Sequence, residues 1–236
     1  MIELTYSYNT LQITINIFMK GIFLAISLFV LVAVSCNEQK KEGTVMKEQK
    51  NEVVETIMSR RSIRSYKPEQ IKPEQLDTIL RCAVNAPSAL NKQTWQVRVV
   101  QNPYILKAIN DGCVKYAADK EMQGSASRSQ QPEFSIYHGA PTLMIVAGKK
   151  SESYSTVDCA LLGQNVVLAA ESMDIGSCII GSVAAYLKTP EAMETIVAPY
   201  LNISDDYELL FAISLGYKNE HPDAKPRDES KIQIIR

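Results

Sequence analysis

The chain has 236 residues, of which 46% are hydrophobic and 22% charged, a composition that excludes a disordered tail, a collagen-like fibre and a small disulfide scaffold. Lys and Arg number 25 against 26 Asp and Glu, for a net charge of -1. No basic stripe is built into that balance, so nucleic acid is not an expected partner.

The apolar residues are unevenly spread. Gly21–Val34 is a 14-residue run without a charge, preceded by Met19-Lys20 and followed by Ser35-Cys36. Spanning a bilayer takes about 20 apolar residues, so the run fits the hydrophobic region of a secretory signal better than a transmembrane helix. Ala33-Val34-Ser35-Cys36 resembles a bacterial lipoprotein cleavage box, with Ala33 where leucine is commoner. The expectation is a signal segment over residues 1–36, translation from Met19, and a lipidated Cys36 that tethers the protein to the cell envelope. A buried helix with a core cysteine is the alternative. Residues 37–50 carry seven charges and read as a solvated linker, which leaves residues 51–236 as the folded domain.

Apart from Cys36 the cysteines are Cys82, Cys113, Cys159 and Cys178, and the histidines are His138 and His221. No CxxC pair and no Cys/His cluster occurs, so neither a zinc site nor a redox dithiol is expected. Buried thiols are the expected state.

Within the domain, Val53, Val54, Ile57 and Met58 fall on one helical face and predict a short opening helix. Pro73 in a first turn, followed by Leu76, Ile79, Leu80 and Ala83, predicts a second helix that ends before Pro87. Trp95–Val100 reads as a strand, and Asn102-Pro103 starts a helix through Leu106 and Ile109. Lys115 to Glu133 is polar and reads largely as a mobile loop. Thr142–Ala147 predicts a buried strand. A long helix is predicted over Thr156–Met173, apolar on too many faces to lie at a free surface. Thr189-Pro190 begins a further helix, and Glu208–Leu215 is a second buried strand. This alternation predicts an α/β or α+β domain around a central sheet.

Two segments carry concentrated polar chemistry. Ser59 to Arg64 places three arginines and two serines in six residues at a helix end. Guanidinium groups bind phosphate through paired donors, and the nearest downstream acid is Glu69; solvated surface charge is the alternative. Ala86 to Trp95 joins a helix end to a strand start with proline, small residues and amides, which suits close approach to a flat polar ligand or a plain connection. Gly176–Ser182 is glycine-bearing but lacks a dinucleotide or P-loop spacing.

Taken in order, Arg60-Arg61-Ser62-Ile63-Arg64, Pro87 through Trp95, Gly176 to Gly181, Leu215-Gly216-Tyr217 and Lys225-Pro226-Arg227 resemble the nitroreductase family of FMN flavoproteins across residues 51–236. The resemblance implies an α+β sandwich, a mostly antiparallel sheet flanked by helices, in an intertwined homodimer with two flavin sites at the interface. It implies FMN binding by Arg60, Arg61, Ser62 and Arg64, with Arg60 and Ser62 at the phosphate and ribityl end and Arg64 at the pyrimidine edge. Pro87, Ser88 and Ala89 match a segment near the neighbouring subunit's flavin, and Asn91 and Gln93 match polar contacts to ring and ribityl. Ile180 and Gly181 match a turn facing the flavin N5 atom, and Lys225 and Arg227 match terminal phosphate contacts. Thr94 stands where the pattern has proline, and Ile180 where some members have glutamate.

The implied activity is a two-step oxidoreduction in which NADH or NADPH delivers hydride to the flavin and a nitroaromatic, quinone or related small acceptor removes it. Arg64 would stabilise negative charge on the ring. The rival readings are a flavin-binding surface lipoprotein that carries electrons without NAD(P)H turnover, and a dehalogenase, flavin-destroying or dehydrogenase reaction on the same fold. The alternating tail Ile232–Ile235 is expected to add an edge strand to a partner's sheet.

Overall fold

A computed structural model describes residues 51–118 and 120–236 of the chain. The apolar run, Cys36 and the charged linker lie outside the described residues.

Local signals set most element boundaries. The Asn51 side chain accepts from the N–H groups of Val53 and Val54, at 3.1 and 3.2 Å, and so caps helix α1 (Glu52–Ser59). Helix α2 (Pro73–Val84) has Pro73 in its first turn and buries Ile79 and Ala83. Strand β1 (Trp95–Val100) follows, then helix α3 (Pro103–Ala117), whose first turn is capped by the Asn102 side chain. Strand β2 (Thr142–Lys149) leads to the long helix α4 (Ser155–Ser172) and strand β3 (Ile175–Ile180). Helix α5 (Gly181–Leu187) starts directly where β3 ends. Thr189 then caps a short turn, Pro190–Ala192, that runs on into a π-helix over Met193–Leu201, and strand β4 (Tyr207–Tyr217) closes the sheet.

The four described strands lie in the order β1-β2-β4-β3, with every neighbouring pair antiparallel. β2 and β4 are therefore central, which is why both read as near-continuous apolar runs. Side chains alternate across a strand. Leu143, Ile145 and Ala147 of β2 pack with α3 and α5 on one face, and Met144 and Val146 pack with α2 and α4 on the other. The result is a sheet sandwiched between helices, as the α+β reading expects.

Three expectations change. Lys115 to Glu133 is not one loop: Lys115–Ala117 complete α3, and Gly124–Arg128 form a helical turn whose Ala126 is buried against the core. Gly176–Ile180, not among the strands expected, is an edge strand, because its backbone pairs with β4 from Ile175–Tyr217 to Ile180–Ala212, and the turn matched at Ile180 and Gly181 is confined to that junction. Cys82 is only half-buried, whereas Cys113, Cys159 and Cys178 are buried. Burial pushes the Cys113 thiol up to about 12 and the Cys159 thiol up to about 11, which keeps both protonated and inert.

Helix α4 is buried along the face of Leu162, Val166 and Ala170 but exposes Val157 and Leu161. On α1, Val53, Val54, Ile57 and Met58 are all exposed. The tail after β4 carries one helical turn, Glu229–Lys231, and Ile232, Ile234 and Ile235 are exposed, without strand pairing among the described residues.

Candidate functional site

The arginine segment leaves α1 in extended form and is pinned along the edge strand. Ile63 N–H donates to the Ser177 carbonyl at 2.9 Å, and Ser62 bridges Ser177 in parallel register. Ile63 is buried against Gly176, where an added Cβ would come within 3.0 Å of the isoleucine. With Ile63 turned inward, Ser62 and Arg64 face the other way. Further on, the Tyr66 hydroxyl donates to the Ile63 carbonyl at 2.7 Å and Lys67 N–H to Tyr217 at 2.9 Å. Arg61 turns back on α1, its Nη1 donating to the Met58 carbonyl at 2.7 Å and the Arg60 carbonyl at 3.0 Å, so part of its donor capacity goes to capping the helix.

The chain then returns over this segment. Lys218, nearly buried, pairs with Glu171 and Asp174 at 3.0 Å each. Asn219 N–H donates to the Ser65 carbonyl at 3.0 Å, and the Glu220 carboxylate accepts from the Arg64 N–H. Beyond those contacts the tail brings Lys225 and Arg227 to Arg60, Arg61, Ser62 and Arg64 around a cavity of about 230 Å³. Asp223 is the one acid among the described residues of that lining. Five cations against one carboxylate make an anion site.

Arg64 also lines a second cavity, of about 530 Å³, with Gln123, Ser125, Arg128, Ile180 and Gly181. A Cβ at Gly181 would meet nothing within 4 Å, so the strand end is open to a flat ligand. Behind this cavity the His138 ring Nε2 lies 3.1 Å from the Ser125 hydroxyl. Burial first, then the Arg64 and Arg128 charges, lowers the His138 pKa to about 4, so the ring is neutral near pH 7.

The structure therefore brings together Arg60, Arg61, Ser62, Arg64, Lys225 and Arg227, and places Ile180 and Gly181 in the cavity that shares Arg64. Pro87, Ser88, Ala89, Asn91 and Gln93 are not in the lining of either cavity. They form a projecting loop with a short helical turn, Ala89–Asn91, whose Leu90 is 90% exposed. Left-handed backbone at Leu90, Asn91 and Gln93 shapes its tip. Sequence reasoning missed Gln123, Ser125 and Arg128, which sit in a stretch read as a loop, and also Glu220 and His138. None belongs to a periodic pattern. The largest cavity described, about 900 Å³, lies among α1, α2 and α4 and holds none of the predicted site residues.

The model of the family described as nitroreductase matches residues 57–217. The chain belongs to the nitroreductase family. An FMN reductase [NAD(P)H] of Bacillus subtilis is 30% identical over 193 residues, which covers 75% of this nitroreductase and 70% of that enzyme. A nitroreductase with bound FMN from Bacteroides fragilis is similar with a TM-score of 0.72 and 30% identity, over 79% of this chain and 100% of that one. A second nitroreductase with bound FMN, from Desulfitobacterium hafniense, gives a TM-score of 0.73 and 28% identity over the same shares. In this nitroreductase the matched region includes the arginine segment but ends at Tyr217, so the convergence of Lys225 and Arg227 on the arginines is seen from its own tertiary structure.

Proposed function

We propose that this protein is an FMN-dependent oxidoreductase that draws reducing equivalents from NADH or NADPH and passes them to a small organic acceptor such as a nitroaromatic or quinone. The observation that carries the reading is the convergence of Arg60, Ser62 and Arg64 with Lys225 and Arg227 on one small cavity that meets an open strand end at Arg64 and Gly181. That donor set fits FMN: a cluster of cations for the terminal phosphate, and a position without a side chain where a planar ring can lie. Bound FMN supplies hydride acceptance and release. The residues of the chain supply the rest. Arg60, Ser62, Lys225 and Arg227 hold the phosphate through charge-assisted hydrogen bonds. Arg64, its backbone N–H bonded to Glu220 and its Nη1 donating to the Ser62 carbonyl at 3.2 Å, would place a positive charge between the two cavities and stabilise negative charge on the ring. His138, neutral and held against Ser125, backs the wall without adding charge.

The test is anaerobic addition of NADH or NADPH to the purified yellow protein. Bleaching, followed by recovery of colour with a nitroaromatic or quinone, is the expected result. A protein that holds FMN but stays yellow under both donors is a flavin carrier instead, and a colourless protein that cannot be reconstituted removes the reading altogether. Replacing Arg60 with alanine is expected to cost about 2–3 kcal/mol of phosphate binding, the worth of a hydrogen bond to a charged group. That is a loss of FMN affinity of roughly 30- to 150-fold, readable by flavin fluorescence titration.

The working unit in this reading is a homodimer. The exposed apolar faces of α1 (Val53, Val54, Ile57, Met58) and α4 (Val157, Leu161) support it, since a monomer seldom leaves such faces in water. The loop at Pro87–Gln93, which lines neither cavity of the site, then serves the site of the second subunit. The apolar run Gly21–Val34 followed by Cys36 supports the further reading that this dimer is held on a membrane of the cell envelope through a lipid anchor. Metabolic labelling with a fatty acid is expected to mark the wild type and not Cys36→Ser; equal labelling of the two rules the anchor out.

A further inference from the structure

Asp158 is a carboxylate with no place in the scheme above, and its surroundings are unusual. It lies in the first turn of α4, 1% exposed, with no ion pair among the described residues. A buried carboxylate without a cation is costly unless its oxygens are fully used. Both are used on one target. Oδ1 accepts from the Ala89 N–H at 3.0 Å, and Oδ2 accepts from the Thr94 hydroxyl at 2.8 Å. These two donors bracket the projecting loop: Ala89 opens its helical turn and Thr94, 3% exposed, is the last residue before β1.

Between those anchors the loop is held in a conformation that it would not keep alone. Leu90, Asn91 and Gln93 have φ of 52°, 55° and 48°, in the left-handed region. Non-glycine residues stay there only where the surroundings over-determine them. Within the loop, Gln93 N–H donates to the Ser88 hydroxyl at 3.0 Å and Asn91 N–H to the Ser88 carbonyl at 3.0 Å. From outside the loop, Glu152 pairs with Lys92 at 2.7 Å, and among the described residues only the Asp158 carboxylate reaches both of its ends. Thr94 stands where the nitroreductase pattern has a proline. A proline would set the backbone by its ring; here a hydroxyl bonded to a buried carboxylate holds the same position.

We infer that Asp158 is a positioning residue that, by clamping Ala89 and Thr94, fixes the loop so that Asn91 and Gln93 are presented to the FMN bound on the partner subunit's arginine cluster. The inference rests on the FMN-binding dimer proposed above. Because the clamp and the phosphate grip then belong to different chains at each site, it makes a prediction about mixed dimers that a merely stabilising carboxylate does not.

The experiment uses full-length chains carrying two different affinity tags, with FMN binding measured by fluorescence titration. Thr94→Val, nearly isosteric and lacking the hydroxyl, is expected to weaken FMN binding about tenfold, and Asp158→Ala more strongly, because a hydrogen bond to a charged group is lost. Thr94→Ser keeps the donor and should bind as the wild type does. A mixed dimer of one Arg60→Ala chain and one Thr94→Val chain then has one doubly impaired site and one intact site. It is expected to take up one FMN per dimer with wild-type affinity. If no wild-type site appears in the mixed dimer, the loop does not act across the interface and the inference is wrong. It is equally wrong if wild type and Thr94→Val homodimers bind FMN alike. A wild type that binds no FMN at all sinks the functional reading and the clamp together, and so is distinct from failure of the clamp alone.

Discussion

Truncation after His221 is expected to give a folded protein that no longer retains FMN. The cut leaves the structural part of the return in place: the Lys218 pairs with Glu171 and Asp174, the Asn219 bond to Ser65 and the Glu220 bond to the Arg64 N–H all survive. It removes Lys225 and Arg227 from the anion cavity in one step. Each hydrogen bond to a charged group is worth about 1.5–3 kcal/mol, so the pair together accounts for about 3–6 kcal/mol if they act independently. The corresponding loss of affinity is roughly a hundredfold to ten-thousandfold, enough to strip flavin on a desalting column. The same cut removes Ile232–Ile235, which are exposed in the single chain and are proposed to pair with a second subunit. Sedimentation should therefore report a weakened dimer, left to the apolar faces of α1 and α4. Circular dichroism should be unchanged apart from the missing tail. A truncated protein that stays yellow and dimerises as tightly as the wild type would show that neither Lys225 and Arg227 nor the arm has the part given to it.

Gly176→Val is expected to damage the site from beneath, without touching any polar group. A Cβ at Gly176 would sit 3.0 Å from both Cβ and Cγ2 of Ile63, and the valine methyl groups would press further into the same side chain. Ile63 cannot give way freely, because its N–H is bonded to Ser177 and its carbonyl accepts the Tyr66 hydroxyl. Overpacking of this kind costs about 1–3 kcal/mol, which for a domain of this size lowers Tm by roughly 2–12 °C. The functional effect should be the larger one. Ser62 and Arg64 flank Ile63 directly, so any shift that relieves the clash displaces two members of the phosphate and ring-edge set. FMN affinity is expected to fall at least tenfold, whereas Gly176→Ala, with its smaller intrusion, should fall between the two. Wild-type FMN affinity in a Gly176→Val protein of lowered Tm would separate the packing of Ile63 from the geometry of the site.

The elements whose limits were legible in the sequence are those with local causes. Pro73 and the spacing of Leu76, Ile79 and Ala83 define α2; Asn102-Pro103 defines the start of α3; the run from Trp95 to Val100 is β1. A cap or a period needs only its own few residues. The residues of the anion cavity were legible too, through the order of short motifs that resemble the nitroreductase family, because a short stretch dense in guanidinium and hydroxyl donors is visible without any partner segment. What the tertiary structure decided is everything that depends on two distant segments meeting. Gly176–Ile180 is a strand because β4 lies beside it; Ile179 and Ile180 are β-prone, but Gly176 and Ser177 interrupt any alternating pattern. Gln123, Ser125 and Arg128 face the second cavity because Ala126, one small apolar residue in a polar stretch, docks on the core. Asp158 reads in the sequence as an ordinary helix N-terminal acid, and becomes the anchor of a loop far away in the chain only when α4 is laid against the start of β1. Lys225 and Arg227 reach Arg60 because Lys218, Asn219 and Glu220 bind the return of the chain to α4, Ser65 and Arg64. Such pairings are fixed by the register and layering of the sheet, which are properties of the whole domain and leave no pattern in either segment alone.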